Sequence, residues 1–215
     1  SRTEMTLMEA DNALSASINV ISVRLYDIVG PDRIIEFASK MTKAPPSDFG
    51  ANPTLALGTS ELTPFEMATG FSIYANRGKD VIPFAVRYVT DRDGNEIANI
   101  EGEVGEILAR KAKNGTIQVI PEEVAWIMNQ MLMRVVDSGT ATEGIRIKGG
   151  YGKKGAGKTG TTSNWSDAWF CGFTPDITAV VWVGYDRSYL SLGTHQAAAE
   201  VAAPIWGRFM AEVYK

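Results

Sequence analysis

Two chemistries can be read from one glycine-rich stretch, residues 152–160. The run from Gly152 to Thr159 fits the G-x4-G-K-T pattern of a phosphate-binding loop, whose backbone N–H groups surround phosphate oxygens. Lys158, Thr159 and Gly160 also fit the K-T-G element of active-site serine acyltransferases. A phosphate-binding loop must open a helix, because the anion sits on the N–H groups of that helix. The residues that follow therefore discriminate between the two chemistries.

The residues after Lys158 favour strands over a helix. Gly160, two threonines and residues 163–164 (Ser-Asn) are poor helix formers, and aromatic and β-branched runs follow them. These runs are joined at residues 174–176 (Thr-Pro-Asp), which predicts a hairpin of antiparallel strands. A phosphate-binding loop belongs to a parallel sheet with helical crossovers. We therefore prefer the K-T-G interpretation, and nucleotide binding stays an alternative because Asp186 imitates an acidic magnesium-binding residue.

Composition and charge narrow the class of protein. The chain has 215 residues, of which 45% are hydrophobic and 21% are charged, and this fits one globular domain of ordinary composition. The net charge of −4 without a long basic run argues against nucleic acid as the main partner. The sequence contains no apolar run of about 18 residues, so we expect any membrane anchor to lie outside this chain.

The single histidine and the single cysteine argue against several kinds of site. His195 by itself cannot build a multi-histidine metal site, and histidine-based triads are disfavoured. We expect His195 to lie in a loop at the rim of the site, and no residue set implies a metal or a cofactor. Cys171 stands in a strand-like run, so we expect a buried, unreactive thiol. Trp165 either lines the groove or packs internally.

Apolar periodicity predicts several helices around these residues. A helical repeat covers residues 5–28 and contains the polar cluster Ser17-Ile18-Asn19. A second helix should follow Pro31, and a third should run from the capping box at Thr63 to about Asn76. A fourth should begin at Pro121 and bury one apolar stripe, formed by Val124, Ile127, Met128, Met131, Leu132 and Val135.

The remaining patterns indicate the fold class. Residues 81–100 alternate and turn at Asp93-Gly94, which predicts a second hairpin, whereas residues 102–115 show no clear pattern. A closing helix is expected over residues 197–214, with a kink or restart at Pro204. The order of elements indicates an α/β fold of the α+β type, with a mainly antiparallel sheet flanked by helices.

Five sequence blocks occur together in a recognisable order. They are Ser17-Ile18-Asn19 with residues 20–25, residues 56–68 (ALGTSELTPFEMA), residues 138–141 (SGTA), residues 158–162 (KTGTT) with 167–170 (DAWF), and residues 202–206 (AAPIW). Through these blocks, nearly the whole chain resembles the C-terminal portion of a penicillin-binding transpeptidase domain. The resemblance is greatest to the bifunctional class A enzymes. A lone K-T-G is weak evidence, whereas five blocks in order are strong evidence.

The resemblance implies a fold, an activity and a location. The fold would be the penicillin-binding and β-lactamase-like transpeptidase fold. The activity would be that of a serine-type D,D-transpeptidase, which cross-links peptides of the bacterial cell wall by acyl transfer. The expected partners are peptidoglycan stem peptides and β-lactam antibiotics. The expected location is the outer face of the bacterial cytoplasmic membrane.

The resemblance also implies three catalytic residues. Ser17 would relay a proton to the departing D-alanine nitrogen, and Asn19 would hold the substrate amide and a neighbouring lysine. Lys158 would place a fixed positive charge beside the site and lower the proton affinity of its neighbours.

Three further residues would bind substrate. Thr159 and Thr161 would offer hydroxyls to the terminal carboxylate, and the Thr161 N–H would be one oxyanion donor. Gly160 would let the strand approach the substrate closely, because it has no Cβ.

The nucleophile implied by the resemblance is missing from the chain. It is the serine of an S-x-x-K motif upstream of S-x-N, and no lysine here has a serine three residues before it. We expect that segment upstream of Ser1, so residues 1–215 would be the C-terminal portion of a single transpeptidase domain. The isolated chain should then be inactive, and the upstream part of the same protein becomes its partner. A non-catalytic penicillin-binding-like module is the other alternative.

Overall fold

The computed structural model describes residues 8–187 and 189–215, which form seven α-helices and five β-strands. The helices are α1 (Ala10–Ser15), α2 (Asn19–Val29), α3 (Pro31–Thr42), α4 (Pro64–Ala75), α5 (Ile100–Lys113), α6 (Glu122–Ser138) and α7 (Ala202–Val213). The strands are β1 (Tyr88–Thr90), β2 (Glu96–Asn99), β3 (Ala156–Thr161), β4 (Asp167–Phe173) and β5 (Thr178–Gly184). Short 3-10 helices span Pro46–Asp48 and Pro53–Leu57, and a π-helix spans Glu143–Lys148. Mixed helices and antiparallel strands confirm the predicted fold class.

The strands β3, β4 and β5 form one antiparallel sheet in chain order. In the β3–β4 pair, Lys158 lies opposite Cys171 and Gly160 lies opposite Trp169. The chain turns between β4 and β5 where the Thr174 N–H donates to the Ile177 carbonyl at 2.8 Å, at the predicted hairpin. Residues 158–161 therefore continue a strand and open no helix, so the phosphate-loop interpretation lacks the helix N-terminus that it requires.

One face of this sheet packs against helices in the largest apolar cluster. Trp206 of α7 is fully buried, and its ring centroid lies 5.2 Å from that of Phe170 in β4. Val135 of α6 and Ile145 of the π-helix belong to the same cluster. A Cβ on Gly157 would lie 2.6 Å from the Cys171 carbonyl oxygen, so the sheet tolerates only glycine there. This packing holds β3 against α6, and β4 and β5 against α7.

The segment around the S-x-N motif departs from the single helical run predicted over residues 8–28. The helix α1 ends at Ser15, and Ser17 has a left-handed φ of 55°. The Ser17 N–H donates to the Leu14 carbonyl at 3.1 Å, and the Ile18 N–H donates to Ala13 at 2.9 Å. These two bonds are a Schellman C-cap, which ends a helix and redirects the chain. Residues 5–7 of the predicted run lie outside the described residues.

Several helix boundaries agree with the sequence predictions. The Thr63 N–H donates to Glu66 Oε2 at 2.7 Å, and the Glu66 N–H donates to Thr63 Oγ1 at 3.2 Å, so the capping box that opens α4 is confirmed. The helix α3 begins at Pro31 as predicted. The hairpin of β1 and β2 is confirmed around Gly94, with strands shorter than the alternating pattern.

Other boundaries and faces were predicted wrongly. Residues 100–113 form α5, although the sequence showed no clear pattern there. The helix α7 starts at Ala202, five residues later than expected, with Pro204 in its first turn. In α6, Val124 and Ile127 are 42% and 51% exposed, because the described residues cover the opposite side of these turns. Tertiary packing, and not the apolar period alone, selects the buried face.

A buried ion pair lies away from the sheet. Asp80 is 3% exposed and accepts hydrogen bonds from Lys43 at 2.5 Å and from Lys111. Burial alone would raise the pKa of the Asp80 carboxyl, but the hydrogen bonds and charges of the two lysines outweigh it and hold that pKa below its ordinary value. The three residues connect the end of α3, the loop after α4 and the last turn of α5. Among the described residues, no helix is both long and apolar enough to cross a membrane.

Candidate active site

The structure brings together two motif residues that are far apart in the sequence. The Lys158 ammonium donates to Ser17 Oγ at 2.9 Å and to the Thr159 carbonyl at 3.0 Å. Ser17 reaches this position because the left-handed turn after α1 directs the chain toward β3. Asn19 is the exposed first residue of α2, two positions after Ser17.

The environment of Lys158 changes its acid–base behaviour. Burial lowers the pKa of the Lys158 ammonium to about 8. Within residues 8–187 and 189–215, no carboxylate forms an ion pair with it. A group with that pKa is about nine-tenths protonated at pH 7 and mostly neutral above pH 9. Lys158 is therefore a cation at neutral pH, and mild alkali removes its charge.

One long edge of β3 is open among the described residues, because β4 pairs with the other edge. The Thr162 N–H donates to the Asp167 carbonyl at 3.1 Å, toward β4. In an antiparallel ladder successive residues direct their N–H groups alternately toward and away from the neighbour. The N–H groups of Thr159 and Thr161 therefore point to the open edge. An extended ligand lying there can receive both hydrogen bonds.

The hydroxyls of the two threonines have different protein partners. Thr161 Oγ1 accepts a hydrogen bond from the Ala198 N–H at 2.9 Å, which ties the loop before α7 to β3. Thr159 Oγ1 lies 2.8 Å from Thr140 Oγ1. A threonine hydroxyl has one proton and two acceptor lone pairs. Since the backbone N–H occupies a lone pair of Thr161, the hydroxyl proton of Thr161 remains available for an acceptor such as a carboxylate.

Gly160 is not required by packing within the protein. A Cβ there would lie 3.5 Å from the Trp169 Cβ, which is an ordinary contact. A Cβ added to Gly157, in the same strand, would instead lie 2.6 Å from a carbonyl oxygen. The described residues thus explain the glycine at 157 and leave space at 160.

An aromatic pair stands beyond the end of β3. Trp165 and His195 both have left-handed φ values, of 53° and 65°, and their ring centroids are 6.1 Å apart. The Leu192 N–H donates to the Trp165 carbonyl at 2.7 Å, so the loop of His195 rests on the β3–β4 turn. The expectation that His195 occupies a loop is confirmed, and Trp165 packs against that loop.

Cys171 is excluded from the chemistry. It lies in β4 with 2% exposure, and burial raises the pKa of its thiol to about 12. A thiol of this kind is not a nucleophile at neutral pH. The prediction of a buried cysteine is confirmed.

Residues 138–141 make contacts that their sequence pattern did not predict. Thr140 bonds to the K-T-G strand through its hydroxyl, and its N–H donates to the Ser15 carbonyl at 3.1 Å. The signal was present, because S-G-T-A was one of the five blocks, but it served there only as a family marker.

The sequence of this chain is similar to proteins of one known family. A profile of the penicillin binding protein transpeptidase domain matches residues 2–211. Penicillin-binding protein 1A of Aquifex aeolicus is 35% identical over 198 residues, and that of Neisseria gonorrhoeae is 34% identical over 199 residues. Each alignment covers 92% of this chain, and the chain spans 24% and 23% of the two relatives.

A solved structure extends the likeness to three dimensions. The crystal structure of penicillin-binding protein 1A from Haemophilus influenzae matches 97% of this chain and 34% of its own, with 25% identity and a TM-score of 0.82. The chain therefore belongs to the penicillin-binding protein transpeptidase domain family. The class A resemblance stated from the motifs is confirmed by these relatives.

Proposed function

We propose that residues 1–215 are the C-terminal portion of a single D,D-transpeptidase domain, which cross-links peptidoglycan stem peptides by serine acyl transfer and is acylated by β-lactams. The contact of Lys158 Nζ with Ser17 Oγ at 2.9 Å, next to the open edge of β3, is the observation that carries the proposal. Family membership supports the reaction class. The relatives extend well beyond the part that this chain covers, so the activity of the whole protein is inferred.

In this proposal Ser17 moves a proton. The Lys158 ammonium donates to Ser17 Oγ, so the hydroxyl proton of Ser17 is directed to another acceptor. In the acylation step that acceptor is the nitrogen of the departing D-alanine, which leaves as the serine ester forms. The proton that the upstream nucleophile gives up replaces the one that Ser17 donates, so Ser17 ends the step as a hydroxyl, and the nearby ammonium stabilises negative charge that develops on its oxygen during the transfer. Asn19, two residues away, is assigned the substrate amide.

The open edge of β3 binds the donor peptide in this proposal. The Lys158 charge and the hydroxyls of Thr159 and Thr161 recognise the terminal carboxylate. The Thr161 N–H, which points away from β4, donates to the oxyanion as the carbonyl becomes tetrahedral. Gly160 keeps the ligand face of the strand free of a Cβ.

The nucleophile is assigned to an S-x-x-K segment upstream of Ser1. Two uncovered surfaces support the proposal that another part of the domain packs beside the described residues. The outer edge of β5 is unpaired among the described residues, and α7 exposes Ile205, Phe209 and Val213, which are four residues apart on one face. An unpaired strand edge and an apolar helix face both need cover in a stable protein. The membrane anchor and the outer-face location also belong to the longer protein.

The test compares the intact protein, including the upstream segment, with three variants by labelling with fluorescent penicillin. Lys158→Ala should slow acylation at least a hundredfold, because it removes both the carboxylate's cation and the donor to Ser17; losing about 3 kcal/mol would suffice. Ser17→Ala should also slow it. Lys154→Ala, a change at an exposed lysine outside the strand, is the matched control and should label normally.

A second arm uses residues 1–215 alone. After circular dichroism has shown the folded chain, mass spectrometry should find no penicillin adduct. An acyl mass on Ser17, or on any serine of the chain, would show that the nucleophile is misplaced. Normal labelling of Lys158→Ala would refute the proposed site. Micromolar binding of magnesium-ATP that disappears in Lys158→Ala would instead support the nucleotide alternative, and an intact protein that never acylates would support a non-catalytic module.

A further inference from the structure

Thr140 contacts both halves of the site through different atoms. It lies between the end of α6 and the π-helix, and its hydroxyl oxygen is 2.8 Å from the Thr159 hydroxyl of β3. Its backbone N–H donates to the carbonyl of Ser15, the last residue of α1, at 3.1 Å. Ser17 follows Ser15 by two residues. Thr140 therefore connects the strand that carries Lys158 to the turn that carries Ser17.

The approach of the two backbones at this point is unusually close. A Cβ on Gly139 would lie 2.7 Å from the Ser15 carbonyl oxygen and 2.7 Å from the Val135 Cα. Real Cβ atoms do not occupy such positions, so only glycine lets α1 and the end of α6 meet in this way. The contact places the Thr140 N–H within hydrogen-bond distance of Ser15. The sequence S-G-T-A thus has a geometric reason for both its glycine and its threonine.

The direction of the hydroxyl bond follows from the ligand. A carboxylate only accepts hydrogen bonds, so a Thr159 hydroxyl that binds one must give its single proton to it. The bond between the two threonine hydroxyls then has Thr140 as its donor. A chain of this kind, from Thr140 to Thr159 to the carboxylate, strengthens each of its bonds by polarisation.

We propose that Thr140 is a positioning residue of the acyl-transfer site: its hydroxyl orients the Thr159 hydroxyl toward the carboxylate of the substrate, and its N–H holds the Ser17 turn against β3. The inference rests on the proposed function and adds a residue to which the motifs assign no role. Thr140 touches no reacting atom and acts through Thr159.

The test measures acylation of the intact protein by benzylpenicillin and by its methyl ester, which lacks the negative carboxylate. Thr140→Val keeps the shape and the backbone N–H but removes the hydroxyl. It should slow acylation by benzylpenicillin about threefold to tenfold, the usual effect of one neutral hydrogen bond. Acylation by the ester should change less than twofold. Thr140→Ser, which restores the hydroxyl, should restore the rate with benzylpenicillin.

A double variant tests whether Thr140 acts on the acylation rate through the Thr159 hydroxyl. In a Thr159→Val background, Thr140→Val should cause no further loss, because the hydroxyl that it orients is absent. Thr142→Val is the matched control: the Thr142 hydroxyl donates only to the nearby Gly139 carbonyl at 3.0 Å, so its loss should leave both rates unchanged.

Three results would overturn the inference: equal slowing with the acid and the ester, a Thr140→Ser variant that stays slow, or additive losses in the double variant. The inference and the proposed function fail separately. If Lys158→Ala labels normally, the site itself is wrong. If Lys158→Ala does not label while Thr140→Val matches the unchanged protein with both compounds, only the role of Thr140 is wrong.

Discussion

Two lysine clusters in this molecule differ in how their charge is balanced. Around Asp80, Lys43 and Lys111 share one buried carboxylate, and the pKa of that carboxyl is held below its ordinary value. Beside Ser17, Lys158 has only neutral oxygens as hydrogen-bond partners, and burial lowers its pKa to about 8. In the first cluster a carboxylate lies between the two lysines, whereas among the described residues no carboxylate pairs with Lys158.

We interpret this as the difference between an internal ion pair, which holds the fold together, and the proposed binding site. A buried ion pair with all its partners stabilises one arrangement of the chain and is destabilising when broken. A desolvated charge without a counterion costs stability in the free protein, and the cost is relieved when an anion binds. A carboxylate at the open edge of β3 would be that anion. Loss of the first cluster should therefore affect stability, and loss of the second should affect reaction rate.

After Lys158→Ala itself, the largest predicted effect lies at Thr161 on the same strand. Thr161→Val in the intact protein removes a hydroxyl that we assign to the carboxylate and keeps the side-chain shape. A hydrogen bond to a charged group is worth about 1.5–3 kcal/mol, so penicillin acylation should slow roughly ten- to a hundredfold. Stopped-flow measurement of acylation gives the rate. Thr161→Ser keeps the hydroxyl and should restore the rate, whereas equal slowing of Thr161→Val with benzylpenicillin and with its methyl ester would assign the loss to the tie with Ala198. An unchanged rate in Thr161→Val would count against the assignment.

For the Asp80 cluster we predict an effect on stability and not on the acylation rate. Asp80→Asn keeps the volume but leaves Lys43 and Lys111 without their counterion. Both lysines are more than one-third exposed, so water replaces part of the pairing, and we expect a loss of about 2 kcal/mol in the free energy of unfolding. Urea unfolding of the chain measures it.

The matched control is Glu122→Gln, which breaks an exposed pair with Arg77 and should cost less than about 1 kcal/mol. Acylation by the intact Asp80→Asn protein should stay within twofold of normal. A rate loss without a stability loss would reverse the comparison between the two clusters.

The last prediction is a pH dependence of stability that arises from Lys158. Its folded pKa of about 8 lies below the value near 10.4 of an unfolded lysine, so the unfolded chain binds more protons between these two values. Stability should therefore rise with pH across that window, relative to Lys158→Met, and should show no such difference in slope below pH 7. Asp80 has a slope of the same sign in a lower pH window, because its folded pKa is also lowered: the stability that it contributes is present above the ordinary carboxyl range and is lost as pH falls below it. Parallel pH profiles for wild type and Lys158→Met between pH 8 and 10 would contradict the lowered pKa.

Local sequence signals predicted those parts of the fold that local physics controls. The strand at residues 158–161 followed from poor helix formers after Lys158, and the hairpin at residues 174–176 followed from its turn residues. The capping box at Thr63 also needs only residues three apart. Two elements were not predicted correctly. The exposed side of α6 depends on what packs against it. In α5, Ile100, Val104, Ile107 and Leu108 do have helical spacing, but glycines and charged residues interrupt the repeat and none of its residues is buried.

The sequence by itself determined the family and the identity of the motif residues, because short blocks in a fixed order can be recognised without knowledge of the contacts that they make. Only the tertiary structure decided that Ser17 leaves the helical run in a left-handed turn, that its hydroxyl meets Lys158 at a separation of 141 residues, and that Thr140 joins the two motifs. It also decided that Lys158 is a titratable cation and that Asp80 is a paired anion. Burial and neighbouring charge set a pKa, and both arise from packing between distant segments, on which local periodicity carries no information.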